Sequence, residues 1–172
     1  MSYNYLIYYP NTVRKNEWFH ILLNYADKTK IGIVSNLVPI IGNLSVAENI
    51  LIAAYYHHNM SYKEGMKLVM SDLKRFHLEH HADSRSNQLD DFEKLIVKYL
   101  QVRYLCPEWI VFLSPRRMYV AEYEEQFHEF LRCEELEKSV IIEHESNRQL
   151  FSNSTDYIEK DFNKWVTQDL GI

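Results

Sequence analysis

Four short apolar runs are the feature that most constrains how this chain can fold. They cover residues 5–9, 30–34, 109–113 and 139–142, and each is rich in β-branched or aromatic side chains. Turn residues, prolines or charges bound each run, which is typical of strands. Strands that are apolar along their whole length belong in parallel sheets, because helices cover both faces of such sheets. Helical patterns alternate with the runs, so the sequence predicts an α/β layer fold.

Helix-start signals mark the chain between the second and third runs. Ser45 with Glu48, and Ser61 with Glu64, have the spacing of a capping box, in which two side chains satisfy backbone N–H groups of the first turn. Two adjacent helices are therefore predicted there. A further helix is indicated by an apolar stripe formed by Phe92, Leu95, Ile96, Tyr99 and Leu100.

The domain organisation follows from these patterns. Two more helices are predicted over residues 119–137, where the outer face is strongly acidic, and over residues 161–169. A chain of 172 residues without a low-complexity linker has the length of one domain. We predict a single domain, with an α/β core over residues 1–44 and 89–172 and an inserted helical section over residues 45–88.

Charge and cysteine content argue against several classes of protein. The 19 basic and 24 acidic residues give a formal net charge of −5, which offers no support for nucleic-acid binding. Two cysteines do not suggest a disulfide framework, and the N-terminus lacks the apolar run of a secretory signal. No stretch is long enough to span a bilayer. These observations predict a cytoplasmic protein.

Residues 9–16, YPNTVRKN, have the frame of a phosphate-binding loop, GxxxxGK[ST], between a predicted strand and a helix. Glycines in such a loop let the backbone N–H groups wrap the phosphates. Here Tyr9 and Arg14 hold the two glycine positions. Lys15 holds the lysine position, and Asn16 replaces the hydroxyl residue that would bind Mg²⁺. Taken alone, the segment is more simply an ordinary strand–turn–helix.

Further segments resemble the ATPase subunits of ATP-binding-cassette (ABC) transporters. Asn36 follows the second strand, where that family has a glutamine, and residues 44–49 match the family's helix start L-[ST]-V-x-E-N. Residues 89–115 resemble the family's signature segment, helix and Walker B strand, with the prolines in register. Residues 140–144, VIIEH, resemble its last strand and switch histidine, here His144.

This resemblance implies a fold with a mostly parallel, P-loop NTPase-like sheet core and an inserted helical subdomain. The stretch between Lys15 and Asn36 is shorter than the corresponding stretch in the family. The resemblance therefore implies that the family's antiparallel β-subdomain, which supplies the aromatic ring that stacks on adenine, is reduced or missing.

The positions that carry chemistry in the family are changed. Asp90 and Asp91 replace an anion-binding helix N-terminus with two carboxylates. Leu113 and Ser114 replace the metal-holding aspartate and the catalytic glutamate. The resemblance thus implies a degenerate subunit, a pseudo-ATPase, with no cofactor expected and ATP with Mg²⁺ only at a weak or composite site. Its vestigial residues are Lys15, Asn16 and Asn36 for the nucleotide and His144 for the switch.

The resemblance also implies partners. Family members dock on a membrane permease through a groove near the glutamine loop, and they pair with a second, competent ATPase subunit. The apolar run after Asn36 suits such a helix-in-groove contact. The expected groove residues are Val38, Ile40, Ile41, Leu44 and Glu48. A homodimer around ATP is disfavoured because Asp90 and Asp91 bring like charges to it, whereas other dimers stay open. The expected location is cytoplasmic, at the inner face of the membrane.

Two other functions stay open at this point. One is an ATP-binding or ATP-hydrolysing subunit with an unusual or composite site, for which Lys15 and His144 are the support. The other is a free-standing scaffold or sensor protein. The segment HLEHH, with His77, His80 and His81, could place imidazoles for a metal. A solvated helix end is the simpler interpretation, so no metal is expected.

Overall fold

A five-stranded parallel sheet forms the centre of the protein. The computed structural model describes residues 3–12, 14–29, 31–58, 60–119, 121–134, 136–151 and 157–171. The strands are β1 (Tyr3–Tyr9), β2 (Ile31–Val34), β3 (Trp109–Leu113), β4 (Lys138–His144) and β5 (Ile158–Glu159). They pair in parallel in the order β2-β3-β4-β1-β5. The predicted parallel sheet is confirmed, and the described residues contain no antiparallel strand pair.

Helices follow or precede each of the longer strands. The α-helices among the described residues are α1 (Lys15–Thr29), α2 (Val46–His58), α3 (Tyr62–Arg75), α4 (Asp91–Arg103), α5 (Glu124–Cys133), α6 (Arg148–Phe151) and α7 (Phe162–Gln168). Short 3₁₀ turns occupy Glu79–His81, Ser86–Gln88, Pro115–Arg117, Ala121–Tyr123 and Glu145–Asn147. None of these helices is both long and apolar enough to cross a membrane.

Both faces of the sheet are buried under separate apolar clusters. Successive strand residues point to opposite faces, so Leu6 and Phe112 pack with α2 to α5, whereas Ile7 and Val111 pack with α1 and α7. This arrangement explains why the strands are apolar along their length. It also explains why the sequence shows runs rather than alternation.

The two predicted capping boxes start α2 and α3. Ser45 N–H donates to Glu48 at 2.7 Å, and Glu48 N–H donates to Ser45 Oγ at 3.2 Å. Ser61 and Glu64 make the same reciprocal pair. The buried Asn49 then holds the loop before α2, because its amide accepts from Ile41 N–H at 2.8 Å and donates to Ile41 O at 3.0 Å.

The edge strand β2 lies unusually close to α4. A Cβ atom at Gly32 would lie 2.3 Å from Val102 Cγ1 and 2.8 Å from Pro107 Cγ. Real Cβ atoms do not approach other atoms so closely, so a glycine is needed for this contact. It fixes how α4 lies against the edge of the sheet.

Some elements differ from the sequence prediction. The helix predicted over residues 119–137 is shorter, because a 3₁₀ turn precedes it and α5 covers Glu124–Cys133 alone; residues 120 and 135 lie outside the described ranges. Strand β5 and helix α6 were not predicted. Strand β5 has two exposed residues and pairs with β1 at Tyr5 and Leu6, so the free edge of β1 places it rather than its own composition.

Candidate functional site

The carboxyl ends of the parallel strands bring several sequence-predicted residues to one edge of the sheet. Tyr9 and His144 are the last residues of β1 and β4, and they are opposite each other in register. Asn36 lies just after β2, and Ser114 follows β3. Lys15 begins α1. Ligands of open α/β sheets bind at this edge, so we call this group of residues the strand-end site.

A buried hydrogen bond crosses the strand-end site. The Tyr9 hydroxyl lies 2.7 Å from Ser114 Oγ, and Tyr9 is 1% exposed. Because β4 lies between β1 and β3, the Tyr9 side chain reaches over the intervening strand. Burial raises the pKa of the Tyr9 phenol above its ordinary value. The hydroxyl therefore keeps its proton and remains available for this bond.

Ser114 is placed by an uncommon backbone conformation. Its φ of 51° lies in the left-handed region, which serine adopts rarely. Its N–H donates to Ile142 O at 2.7 Å, and the 3₁₀ turn at Pro115–Arg117 follows directly. This sharp change of direction holds the Ser114 hydroxyl at the end of β3, facing Tyr9.

The ammonium group of Lys15 is engaged inside the site. Lys15 is 7% exposed, and its Nζ donates to Asn36 Oδ1. Burial, together with the nearby charge of Arg117, lowers the pKa of Lys15 to about 8, and Glu143 partly opposes this change. The contact links the start of α1 to the end of β2. Asn16, the next residue of α1, is exposed.

Glu143 is a site residue that the sequence analysis missed. It is fully buried as the last but one residue of β4. Its carboxylate accepts from the backbone N–H of Arg116 at 3.1 Å, from the N–H of His144 at 2.7 Å, and from Asn147 Nδ2 at 3.2 Å. One donor from β4 itself and one from each of the 3₁₀ turns Pro115–Arg117 and Glu145–Asn147 thus converge on it. The sequence does contain an indication of this residue, since a carboxylate interrupts the apolar run VIIEH.

His144 caps the turn that follows β4. Its Nδ1 accepts from Ser146 N–H at 3.2 Å and lies 2.7 Å from Ser146 Oγ. Its ring meets the Tyr9 ring edge to face, with centroids 5.2 Å apart. The structure therefore places this histidine beside Tyr9, at the half-exposed rim of the strand-end site.

The start of α4 holds the two aspartates. Asp90 is the N-cap, and its carboxylate accepts from Glu93 N–H at 2.8 Å while Glu93 accepts from Asp90 N–H at 2.8 Å. Asp91 pairs with Lys94 at 3.2 Å. Acidic side chains at the start of α4 thus accept hydrogen bonds from backbone N–H groups there. Negative charge at this position also suits the positive end of the helix dipole.

An apolar groove lies beside the strand-end site, at the β2 edge of the sheet. Its volume is about 470 Å³, and α1, β2, α2 and α4 form its walls. Val38 and Ile41, two of the predicted groove residues, line it. Its rim includes four exposed apolar side chains: Leu23, Ile41, Ile52 and Leu105. We call this feature the β2 groove.

The other predicted groove residues lie elsewhere. Ile40 packs against the cluster under α2 to α5, and Leu44 is half-buried. Glu48 is engaged in its capping box, and hydrogen bonds from Ser45 lower its pKa. On the groove floor, Lys98 donates to Val38 O, and burial lowers its pKa to about 8.

Comparisons with known proteins bear on this geometry. No family model and no curated protein sequence matches the chain. The dimeric post-hydrolysis structure of the ATP-binding cassette MJ0796 bound to ADP and Pi is 19% identical, with a TM-score of 0.58, over 85% of this chain and 76% of that chain. A dimeric structure of MJ0796 as a bacterial ABC transporter cassette is 18% identical, with a TM-score of 0.64, over 93% and 81%. The chain has the fold of an ATP-binding cassette. The resemblance inferred from the sequence is confirmed at the level of the fold.

In the cassette fold, the strand-end site would be expected to hold a nucleotide with Mg²⁺, and the residues present do not fit that group. Leu113 and Ser114 have no carboxylate for a metal; Leu113 is fully buried in the core, and the Ser114 hydroxyl faces Tyr9. Lys15 faces Asn36. The carboxylate of Glu143 is enclosed by its three donors. The polar side chains of the site are engaged in separate hydrogen bonds within the protein.

Proposed function

We propose that this protein is a non-hydrolysing subunit with a cassette fold, which acts by docking on a membrane permease or by pairing with a competent cassette subunit. One observation carries the proposal: the Tyr9 hydroxyl and Ser114 Oγ, at positions that would serve phosphate binding and water activation, bond to each other at 2.7 Å. A site whose polar groups are already paired gains little by binding a nucleotide.

The β2 groove supports the docking part of the proposal. Ile41 is 44% exposed, Leu23 is 44% exposed and Ile52 is 37% exposed, and these side chains border one depression. A contiguous exposed apolar surface with a concave floor is typical of a protein contact. An amphipathic helix of a permease loop, laid along the groove, would cover it. The subunit would then work at the cytoplasmic face of a membrane.

Calorimetry with Mg-ATP tests whether the protein binds nucleotide, which hydrolysis would require. We expect no saturable heat at millimolar nucleotide, because Lys15 and the strand-end hydroxyls are engaged. A competent cassette ATPase measured in the same buffer is the positive control. Saturable binding followed by release of phosphate would overturn the non-hydrolysing assignment.

Docking is tested by recovering partners from solubilised membranes. Ile41→Asp places a charge on the groove rim and is expected to abolish recovery of a permease or cassette subunit, because burying an unpaired carboxylate is costly. Ile158→Asp is the matched control, since Ile158 is 67% exposed on β5 and lies outside the groove. Lys15→Ala should leave recovery nearly intact. Equal recovery with Ile41→Asp and Ile158→Asp, or recovery of no membrane partner at all, would favour a free-standing scaffold.

A second candidate is nucleotide binding at a site completed by a partner subunit. It is favoured by the position of Lys15 at the first turn of the 15-residue helix α1, where the helix dipole attracts anions. Calorimetry on the co-purified complex separates the two candidates. Heat that appears with the complex, and that Lys15→Ala removes, would select the composite site.

A further inference from the structure

Three potential metal ligands, none of them part of the strand-end site, lie close together. They are His80 and His81 of the 3₁₀ turn Glu79–His81 and Glu93 of the first turn of α4. One donor atom of each lies within 4.8 Å of the other two. Two imidazoles and one carboxylate are a donor set that zinc uses in proteins.

The orientation of His81 suits a metal ligand. Its Nδ1 lies 3.1 Å from Ser84 Oγ, and its Nε2 lies 3.4 Å from Glu93 Oε1. When Nδ1 carries the proton and donates to Ser84, Nε2 presents its lone pair toward Glu93. Two donors bound to one tetrahedral zinc at about 2.0–2.1 Å lie about 3.4 Å apart. The His81 and Glu93 atoms therefore already have the separation that a shared ion requires.

Glu93 is likewise held from behind. Its Oε2 accepts from Asp90 N–H at 2.8 Å in the capping box of α4. This bond leaves Oε1 directed at His81. Metal sites commonly fix their ligands by such outer hydrogen bonds. The His81 imidazole and the Glu93 carboxylate each have such an outer hydrogen bond.

His80 completes the set from the solvent side. It is exposed, and its ring centroid lies 4.2 Å from that of His81. A simple ion pair would explain why His81 lies beside Glu93. It would not explain why His80 also lies within reach of both. His77, which the sequence pattern also offers, has a positive φ of 58° and lies outside the group.

We propose that His80, His81 and Glu93 bind one divalent cation of the zinc class, with the fourth position open to water or to a side chain of a partner. The ion joins the turn after α3, in the helical section, to the first turn of α4, outside that section. This site is independent of the proposed docking function. Glu93 comes from a separate element, which is why the spacing of the histidines alone favoured a solvated helix end.

Calorimetry on the tag-free, chelator-treated chain with ZnCl₂ tests the proposal. We expect one saturable equivalent, a rise in melting temperature with Zn²⁺, and no response to MgCl₂, because imidazole ligands do not suit Mg²⁺. Substituted Co²⁺ should give the visible absorption of a tetrahedral complex. His81→Ala and Glu93→Gln are each expected to weaken binding by about tenfold or more.

The choice of variants keeps the result interpretable. Glu93→Gln preserves the capping box, since glutamine serves in that role, so a loss of binding cannot be assigned to unfolding of α4. His20→Ala is the control, because His20 is exposed on α1 and outside the group. Absence of saturable Zn²⁺ binding would overturn the proposal. Wild-type affinity in both His81→Ala and Glu93→Gln would do so as well.

Discussion

Replacing Tyr9 with Phe measures how much stability the bond across the strand ends provides. The change removes one oxygen atom and leaves the ring beside Trp18 and His144. It also leaves Ser114 Oγ fully buried without this partner. A buried polar group that loses its hydrogen bond costs about 1–3 kcal/mol. We therefore expect Tyr9→Phe and Ser114→Ala each to lower the free energy of unfolding by about 1–3 kcal/mol.

The double variant makes the reasoning specific. Once both hydroxyls are gone, no polar group is left unpaired, so the pair should lose less than the sum of the single losses, with a coupling of about 1–2 kcal/mol. Urea unfolding followed by tryptophan fluorescence supplies the four free energies. Tyr62→Phe is the control, because Tyr62 is 60% exposed, and it should change stability by less than about 0.5 kcal/mol. Strict additivity of Tyr9→Phe and Ser114→Ala would refute the reasoning.

Two further predictions concern buried lysines and close packing. In the folded protein the pKa values of Lys15 and Lys98 are lowered from 10.5 to about 8. Between pH 8 and pH 10.5 the unfolded chain therefore binds more protons than the folded protein does. The free energy of unfolding should therefore rise with pH in that window, and urea titrations of Lys98→Met should show a smaller rise; an unchanged rise would contradict this. Gly32→Ala should cost about 1–3 kcal/mol because its Cβ would lie 2.3 Å from Val102 Cγ1. Gly42→Ala, with nothing within 4 Å of its Cβ, should melt like the wild type, and equal melting of both variants would refute the packing argument.

The sequence was most informative where structure is local. The apolar runs at 109–113 and 30–34 correctly predict β3 and β2. A strand that is apolar on both faces is buried on both faces, and parallel sheets covered by helices provide that environment. The capping boxes at Ser45 and Ser61 gave the starts of α2 and α3 because their hydrogen bonds span three residues. Strand β5 could not be predicted, since two exposed residues carry no pattern and the edge of β1 decides their pairing.

The candidate site was only partly accessible from sequence. The motif frames identified Lys15, Asn36 and His144, but not the contacts that these side chains make. The bond of Tyr9 to Ser114 joins residues 105 positions apart, and no local rule pairs them. Glu143 was missed because a carboxylate in an apolar run reads as an irregularity until its three donors are seen around it.

The Lys15–Asn36 contact also has a consequence for the proposed docking. Asn36 is the second residue of the loop that follows β2 and carries Val38 and Ile41 into the β2 groove. In an enzyme that bound and released nucleotide at this point, the loop could change position once per cycle. Here Asn36 is held to α1 by the hydrogen bond from Lys15. In the proposed function, a partner seated in the β2 groove would therefore meet the same surface at any ratio of ATP to ADP, and its attachment would be constant rather than periodic.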